Sequence, residues 1–439
     1  MTPPARTAGR DHLRATAGTL ALRVASLGLL FACHLLLTRT LGARGYGLYA
    51  YAVAWLNVLI VPATLGADRL VVRQVAVYRA TGDWSSWRGF LEWSGRSVVL
   101  ASLGLALLGA AASWAVAGRD GTPGAFRTAM LLLPALALAR LAQYALQGMQ
   151  RPVLGQLAEG IVHPVALIAL VAAWRLGGRE LSATGAMALN AAATCAALAC
   201  AVALFRRSLP RPVREAAPTR RVDAWSRSVL PLVAVSGLYA VSGQVPVLVL
   251  GALGGAEEAG VLAVAKRLAD LVVLPTLAAS ATLAPTLAGQ WATRDTSGFQ
   301  RTLTTFTRGV AGVAVPLAIV LVLLRRPLLE AFGAPFGAGA GALALLCAGQ
   351  VVSVMVGSVN LALVVADQER VAALAAAAHV ALNAGLCALL VPRWGVEGAA
   401  AAATVSLVAW NLLLAARVRR LLGIRPTVLA GPAGSHAAA

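Results

Sequence analysis

The side chains able to do chemistry in this sequence are the few charged and amide groups that interrupt long apolar runs. The bases are Arg23, Arg96, Arg140, Lys266 and Arg267, and the carboxylates are Glu159 and Asp270. At mid-bilayer depth each ionised group costs about 2.5–3.5 kcal/mol on insertion scales, so each needs a partner or a task. Arg140 is followed by Gln143, Tyr144 and Gln147 at i+3, i+4 and i+7, which puts a polar stripe down one helical face. Glu159 and His163 are one turn apart and precede Pro164, while Asp270 follows Lys266 by four residues and Arg267 by three. Arg23 and His34 are eleven residues apart, close to three turns, and share a face. Gln244 and Asn360 are the neutral polar candidates. Five bases against two carboxylates leave surplus positive charge. An anionic ligand in a hydrated cavity neutralises that surplus, and a cationic one does not. Two alternatives stay open within the set. Arg140 and Glu159 either neutralise one another or serve a ligand, and Glu159 and His163 either satisfy each other or relay a proton.

The elements that must position these groups are membrane helices. Of 439 residues 59% are hydrophobic and 12% charged, with mean hydropathy +0.77; a soluble domain carries roughly 25% charged residues. The apolar runs approach the roughly 20 residues that cross a bilayer, and they are continuous Leu/Ala/Val rather than alternating. Helices, not barrel strands, follow. Twelve spans are expected, at 17–37, 48–65, 97–116, 129–146, 154–174 and 184–204, then 229–250, 260–283, 309–324, 340–365, 371–391 and 396–416. The five cysteines, Cys33, Cys195, Cys200, Cys347 and Cys387, fall in these runs without metal-like spacing and read as buried packing residues. No triad spacing, Gly-rich phosphate loop after a strand or metal cluster is present. The chain therefore reads as no enzyme, with no catalytic residue, metal or cofactor.

The spans fall into two copies. Gly47 and Gly260, Pro62 and Pro275, Gly185 and Gly398, and Arg206 and Arg419 are all separated by 213 residues. Six spans per copy make the copies parallel, about an axis along the membrane normal. The organisation expected is a tail at 1–16, a lobe at 17–204, a basic linker at 205–228, a second lobe at 229–416 and a tail at 417–439. The fold class is all-α: a polytopic membrane protein of about 12 transmembrane helices in two six-helix repeats around a central cavity. Of the 37 Lys and Arg, 23 fall on the side that holds both termini, nine on the other and five within spans. The net charge of +20 thus reads as orientation, with both termini cytoplasmic, and not as nucleic-acid binding. Residues 68–93 are too polar to span. Arg69 and Arg73 lie one turn apart there, and Leu70, Val71, Val75, Trp84, Trp87 and Trp93 suit a lipid-facing side of an interfacial helix. Residues 290–306 are the expected counterpart.

With Arg23, the segments R-T-L-G-A-R-G-Y-G-L-Y (39–49), L-G-A-D-R-L-V-V-R-Q-V-A (65–76), A-K-R-L-A-D-L (265–271), L-A-P (283–285) and V-P-R-W-G-V-E-G-A-A-A-A (391–402) carry a family resemblance. From about Arg14 to Gly423 the chain resembles the polysaccharide-transporter branch of the multidrug, oligosaccharidyl-lipid and polysaccharide exporter superfamily. The resemblance implies a flippase that moves polyprenyl-pyrophosphate-linked oligosaccharides, such as O-antigen, capsule or teichoic-acid precursors, across a bacterial cytoplasmic membrane by alternating access. It maps cavity bases onto Arg23, Lys266 and Arg267. A further Arg that lipid II flippases carry in the second helix has no equivalent in 48–65.

On this reading Arg23, Arg140, Lys266, Arg267, Gln143, Gln147, Gln244 and Asn360 bind diphosphate or glycan, and Glu159, His163 and Asp270 are candidates for coupling. The diphosphate passes from Arg23 and Arg140, in the inner half, to Lys266 and Arg267, in the outer half. The partners implied are the lipid-linked glycan, membrane lipids, glycosyltransferases and a polysaccharide polymerase. Two alternatives are a cation-coupled drug or metabolite exporter of the same superfamily, for which Glu159 is the one deep carboxylate of the first half, and a non-transporting scaffold for a glycan-synthesis complex.

Overall fold

A computed structural model describes residues 5–115, 122–219, 221–366, 368–424 and 427–428. Side chains are described from residue 25 onward, apart from 67–68, 114–115, 122, 224, 228, 231, 277–278, 281–282 and 369. Among the described residues all regular structure is helical, and nine helices are long and apolar enough to cross a membrane. Two of these nine each hold two spans. Helix Ala5–Ala63 is interrupted at Gly42 (φ 66°, ψ 179°), and Glu369–Leu422 at Gly395 (φ 50°, ψ −125°). Such φ values favour glycine, whose missing Cβ removes the clash that bars other residues. The eighth span is interrupted too, as Ala256–Asp270, a 3-10 turn Leu271–Val273 and Leu274–Ala292. With these breaks the twelve expected segments are accounted for. Leu107, Leu131 and Leu374 are 71%, 77% and 72% exposed, an apolar surface suited to lipid rather than water.

The chain divides into two units, Met1–Gly237 and Leu238–Ala439, with the boundary inside helix Val222–Leu253. In the first unit, helix Thr122–Gly148 is central and packs on Ala5–Ala63, Ala67–Thr81, Trp84–Ala115 and Ala183–Ser208. Its small residues permit this: Ala129, Ala137 and Ala145 are buried, and a Cβ on Gly148 would come within 2.8 Å of Val75 Cβ. Cys195 is exposed rather than buried, while Cys33, Cys347 and Cys387 pack inside.

Helix Ala67–Thr81 starts after Gly66 (φ 65°) and ends before Gly82 (φ 70°). Its apolar stripe differs from the expectation. Leu70, Val71 and Val75 are buried in protein with Trp87, Phe90 and Trp225, while Arg69 and Arg73 are exposed. Protein outcompetes lipid here because Gly148 lets the helix approach closely.

The basic segment 205–228 is packed into the first unit. Helix Ala183–Ser208 runs into it, a short helix Arg211–Glu215 follows, and Val213 and Trp225 are fully buried. Trp225 Nε1 donates to Tyr78 Oη (2.9 Å), Thr219 N to Ser85 O (3.0 Å) and Arg88 Nη1 to Ala216 O (3.0 Å). Arg221 reaches Asp83 at 3.5 Å.

In the second unit, Ala340–Val356 takes the central role and packs on Glu369–Leu422, Thr296–Leu323 and Ala256–Asp270. Gly349 lies against Thr404, whose Oγ1 donates to Leu345 O (2.9 Å). The repeat is visible in backbone detail. Gly255 (φ 109°, ψ 171°) has a left-handed φ and extended ψ, like Gly42 213 residues earlier. Asp83 Oδ1 accepts from Ser86 N (3.0 Å) and Asp295 Oδ1 from Gly298 N (2.8 Å), an aspartate cap on the helix that begins the third span of each copy. The expected counterpart at 290–306 begins inside Leu274–Ala292 and runs into Thr296–Leu323.

Candidate functional site

Pro164 organises the site in the first unit. A proline lacks an N–H and its ring crowds the carbonyl four residues back. The chain relieves this with a π-helical turn, Ala158–Val162, between Pro152–Leu157 and His163–Leu176. Gly160 lies in that turn, and a Cβ there would sit 2.5 Å from Ser26 Oγ, so the first span approaches closely. Arg23 lies one turn before Ser26; its side chain falls outside the described residues.

The turn sends Glu159 and His163 to different neighbours. Glu159 Oε1 lies 2.6 Å from Arg140 Nη2 on the fourth span. His163 Nε2 lies 2.8 Å from Asn190 Oδ1 on the sixth, so Nε2 carries the proton of that bond. Arg140 and Glu159 are thus ion-paired with one another across two helices. Arg140 Nε is buried and has no hydrogen-bond acceptor among the described residues. A cavity of about 70 Å³ lies among Arg140, Gln143, Glu159, His163, Thr194 and apolar neighbours. That volume holds a few waters at roughly 10–15 Å³ each. It is far below the roughly 300–1,000 Å³ of small-molecule sites. Gln147 is not among the lining residues; it lies in the last turn of the helix, where its carbonyl accepts from Gln150 N (2.9 Å). His34 is buried and bonds Tyr46 Oη through Nδ1 (3.1 Å) across the Gly42 break.

The second unit repeats the logic around Pro275. The helix narrows to the 3-10 turn Leu271–Val273 just before it. Asp270 ends the preceding helix, with Oδ2 2.7 Å from Lys266 Nζ and Oδ1 3.4 Å from Gln350 Nε2. Arg267, on the same helix, is half-buried. Glu159 and Asp270 thus stand five residues before a proline, at a helix irregularity, and each holds a base.

Asn360 lies beyond another break. Gly357 (φ 85°) ends Ala340–Val356, and Asn360 is in the short helix Val359–Val365. Its Oδ1 accepts from Tyr239 Oη at 3.1 Å. Gln244 is half-buried on the helix that carries Tyr239. Asn190 and Tyr239 join these sites without being among the residues the sequence singles out. An Asn seven residues inside an apolar run starting at Ala183 was the available signal for the first.

Residues 13–290, 278 of the 439, match a family described as polysaccharide biosynthesis protein. No curated protein matches the sequence. The fold is that of transporters of the MOP superfamily. An inward-facing multidrug resistance MATE family transporter superposes with TM-score 0.74 at 13% identity, covering 90% of this chain and 94% of its own. The lipid II flippase MurJ, in an inward closed conformation, gives 0.66 at 13% identity over 92% and 87%. A MOP superfamily transporter from Pyrococcus furiosus gives 0.63 at 13% identity over 93% and 95%.

Proposed function

We propose, the chain being a member of the polysaccharide biosynthesis protein family, that it is a transporter that flips a polyprenyl-pyrophosphate-linked oligosaccharide from the inner to the outer leaflet of a bacterial cytoplasmic membrane. Its product would feed O-antigen, lipopolysaccharide or related surface-polysaccharide synthesis. Both termini face the cytoplasm, and glycosyltransferases and a polymerase work on either side of the step. The observation that carries this reading is the family match, which runs through both interrupted carboxylate–base helices. Arg23 in the first unit, and Lys266 and Arg267 in the second, are each candidate bases for the diphosphate. Lys266 is placed by Asp270 until the diphosphate, a stronger anion, takes it over. Gln244 and Asn360 contact glycan. Arg140 has its anion already, so the small cavity around Arg140, Glu159 and His163 suits a coupling proton or cation better than substrate.

The test is a depletion strain. Lipid-linked glycan should accumulate where an impermeant periodate reagent, added to spheroplasts, does not reach it, and the wild-type gene should restore access. An unchanged outer-leaflet fraction refutes the reading. Joint replacement Lys266→Gln and Arg267→Gln should lower export at least tenfold at equal protein level; normal export would remove these bases from the site. A second reading, a cation-coupled drug exporter, is favoured by the Glu159 cavity alone. It requires a drug-resistance phenotype abolished by Glu159→Gln. A non-transporting scaffold predicts instead that changes in 205–228 abolish surface glycan while the base substitutions are silent.

A further inference from the structure

The second unit contains a polar–aromatic cluster that neither the diphosphate nor the coupling assignments use. Trp410 stacks on His379, with centroids 5.2 Å apart and planes 24° from parallel. Tyr239 meets Trp410 edge-on at 6.4 Å and donates to Asn360 Oδ1 at 3.1 Å. His379 is 8% exposed, while Tyr239, Asn360 and Trp410 are half-buried. His379 Nδ1, Trp410 Nε1 and Ser358 Oγ are buried and make no hydrogen bond among the described residues. Buried tryptophan N–H groups ordinarily find an acceptor. Two of these, on the stacked rings of His379 and Trp410, lie together and call for a common cause.

The chemistry of the cluster selects its ligand. Aromatic faces present an apolar wall, and the unfilled groups beside it include both a donor and an acceptor. A sugar ring has apolar C–H faces and a rim of hydroxyls, each able to donate and accept. A lipid tail would cover the wall and leave the N–H unfilled. A diphosphate calls for fixed cations, and none of these four side chains is Lys or Arg. Gly357, with φ 85°, breaks the helix immediately before Ser358 and Asn360, and so sets the short helix Val359–Val365 apart from Ala340–Val356 beside the cluster.

We infer that Tyr239, Asn360, His379 and Trp410 form a sugar-ring subsite in the second unit. Tyr239 supplies the stacking face, and Asn360, His379 and Trp410 meet the hydroxyls. This deepens the flippase reading and rests on it. On the proposed orientation all four residues lie about 5–10 residues, or about 8–15 Å, from the cytoplasmic ends of their spans, where glycan loads. Stacking tolerates different sugars, because every pyranose has an apolar face.

The test uses the full chain in nanodiscs and two probes, polyprenyl-pyrophosphate and the same lipid carrying one N-acetylglucosamine. Wild type should bind the sugar-bearing lipid about tenfold more tightly. Tyr239→Leu should bring that ratio within twofold of one. Trp410→Phe, which keeps a ring and removes the N–H, should bring it to about threefold. Affinity for the bare lipid should stay within twofold in both variants. A wild-type ratio of one, a ratio unchanged in both variants, or parallel loss of both lipids overturns the subsite. If neither lipid binds wild type saturably, the flippase reading falls, and this inference with it.

Discussion

The Arg140–Glu159 pair allows a prediction in which the two partners are unequal. Its side chains are 32% and 40% exposed and the contact is 2.6 Å. Breaking a fully buried pair costs about 3–5 kcal/mol, and an exposed one is worth about 0.2–1 kcal/mol. At roughly two-thirds burial, Glu159→Gln should cost about 2 kcal/mol, because arginine cannot shed its proton and stays charged without a counterion. Arg140→Gln should cost less, about 1 kcal/mol, since Glu159 is the more exposed partner and keeps more of its hydration. The double variant carries no orphaned charge and should also lose only about 1 kcal/mol, roughly 2 short of the sum of the single losses. For a unit of 237 residues, at about 2–4 °C per kcal/mol, Glu159→Gln shifts the unfolding midpoint down by about 4–8 °C. Thermal unfolding in nanodiscs, followed by tryptophan fluorescence, reads all three. Additivity within about 0.5 kcal/mol, or a larger loss for Arg140→Gln than for Glu159→Gln, would refute the claim that this pair is a self-neutralising unit.

Gly89→Ala should release the 205–228 strap, because a Cβ there collides with the Thr219 carbonyl oxygen; trypsin should cleave at Arg214 or Arg221 several times faster, and wild-type rates would count against the strap. The Asp83 carboxyl is held below its usual range, first by the Ser86 backbone N–H, then by the Ser86 side chain and Arg221. Its contribution to the cap of helix Trp84–Ala115, and through Arg221 to strap docking, is therefore present above the unfolded carboxylate value of about 3.9 and lost as pH falls through the lower folded value. Strap proteolysis by pepsin over that window should rise in wild type and be flat in Asp83→Asn; equal profiles would exclude Asp83. Gly160→Ala should destabilise the first unit by about 1–2 kcal/mol, with much of the loss recovered in Ser26→Gly, and no recovery would mean that the close approach at Ser26 is not what requires glycine.

Helix type, span number and the duplication are legible in the sequence because they are local or periodic. An apolar run long enough for the bilayer must be a helix, and a 213-residue offset needs no contacts to be seen. Pro164 and Pro275 also announce the two helix irregularities, since a missing N–H disrupts any helix wherever it folds. Pairing is another matter. Glu159 and His163 look like partners at one-turn spacing, yet the π turn rotates them toward Arg140 and Asn190, one helix apart on either side. The stripe Leu70, Val71 and Val75 has the same pattern whether it faces lipid or protein, and the tertiary partners Trp87, Phe90 and Trp225, with the room left by the missing Cβ of Gly148, decide for protein. The basic segment 205–228 reads as a linker because its charges dominate its composition, while two apolar side chains, Val213 and Trp225, dock it. Local chemistry thus determined which residues are costly in a membrane; only tertiary packing decided which neighbour offsets that cost, because a charge or an indole N–H is satisfied by whatever lies within hydrogen-bond reach, not by sequence distance.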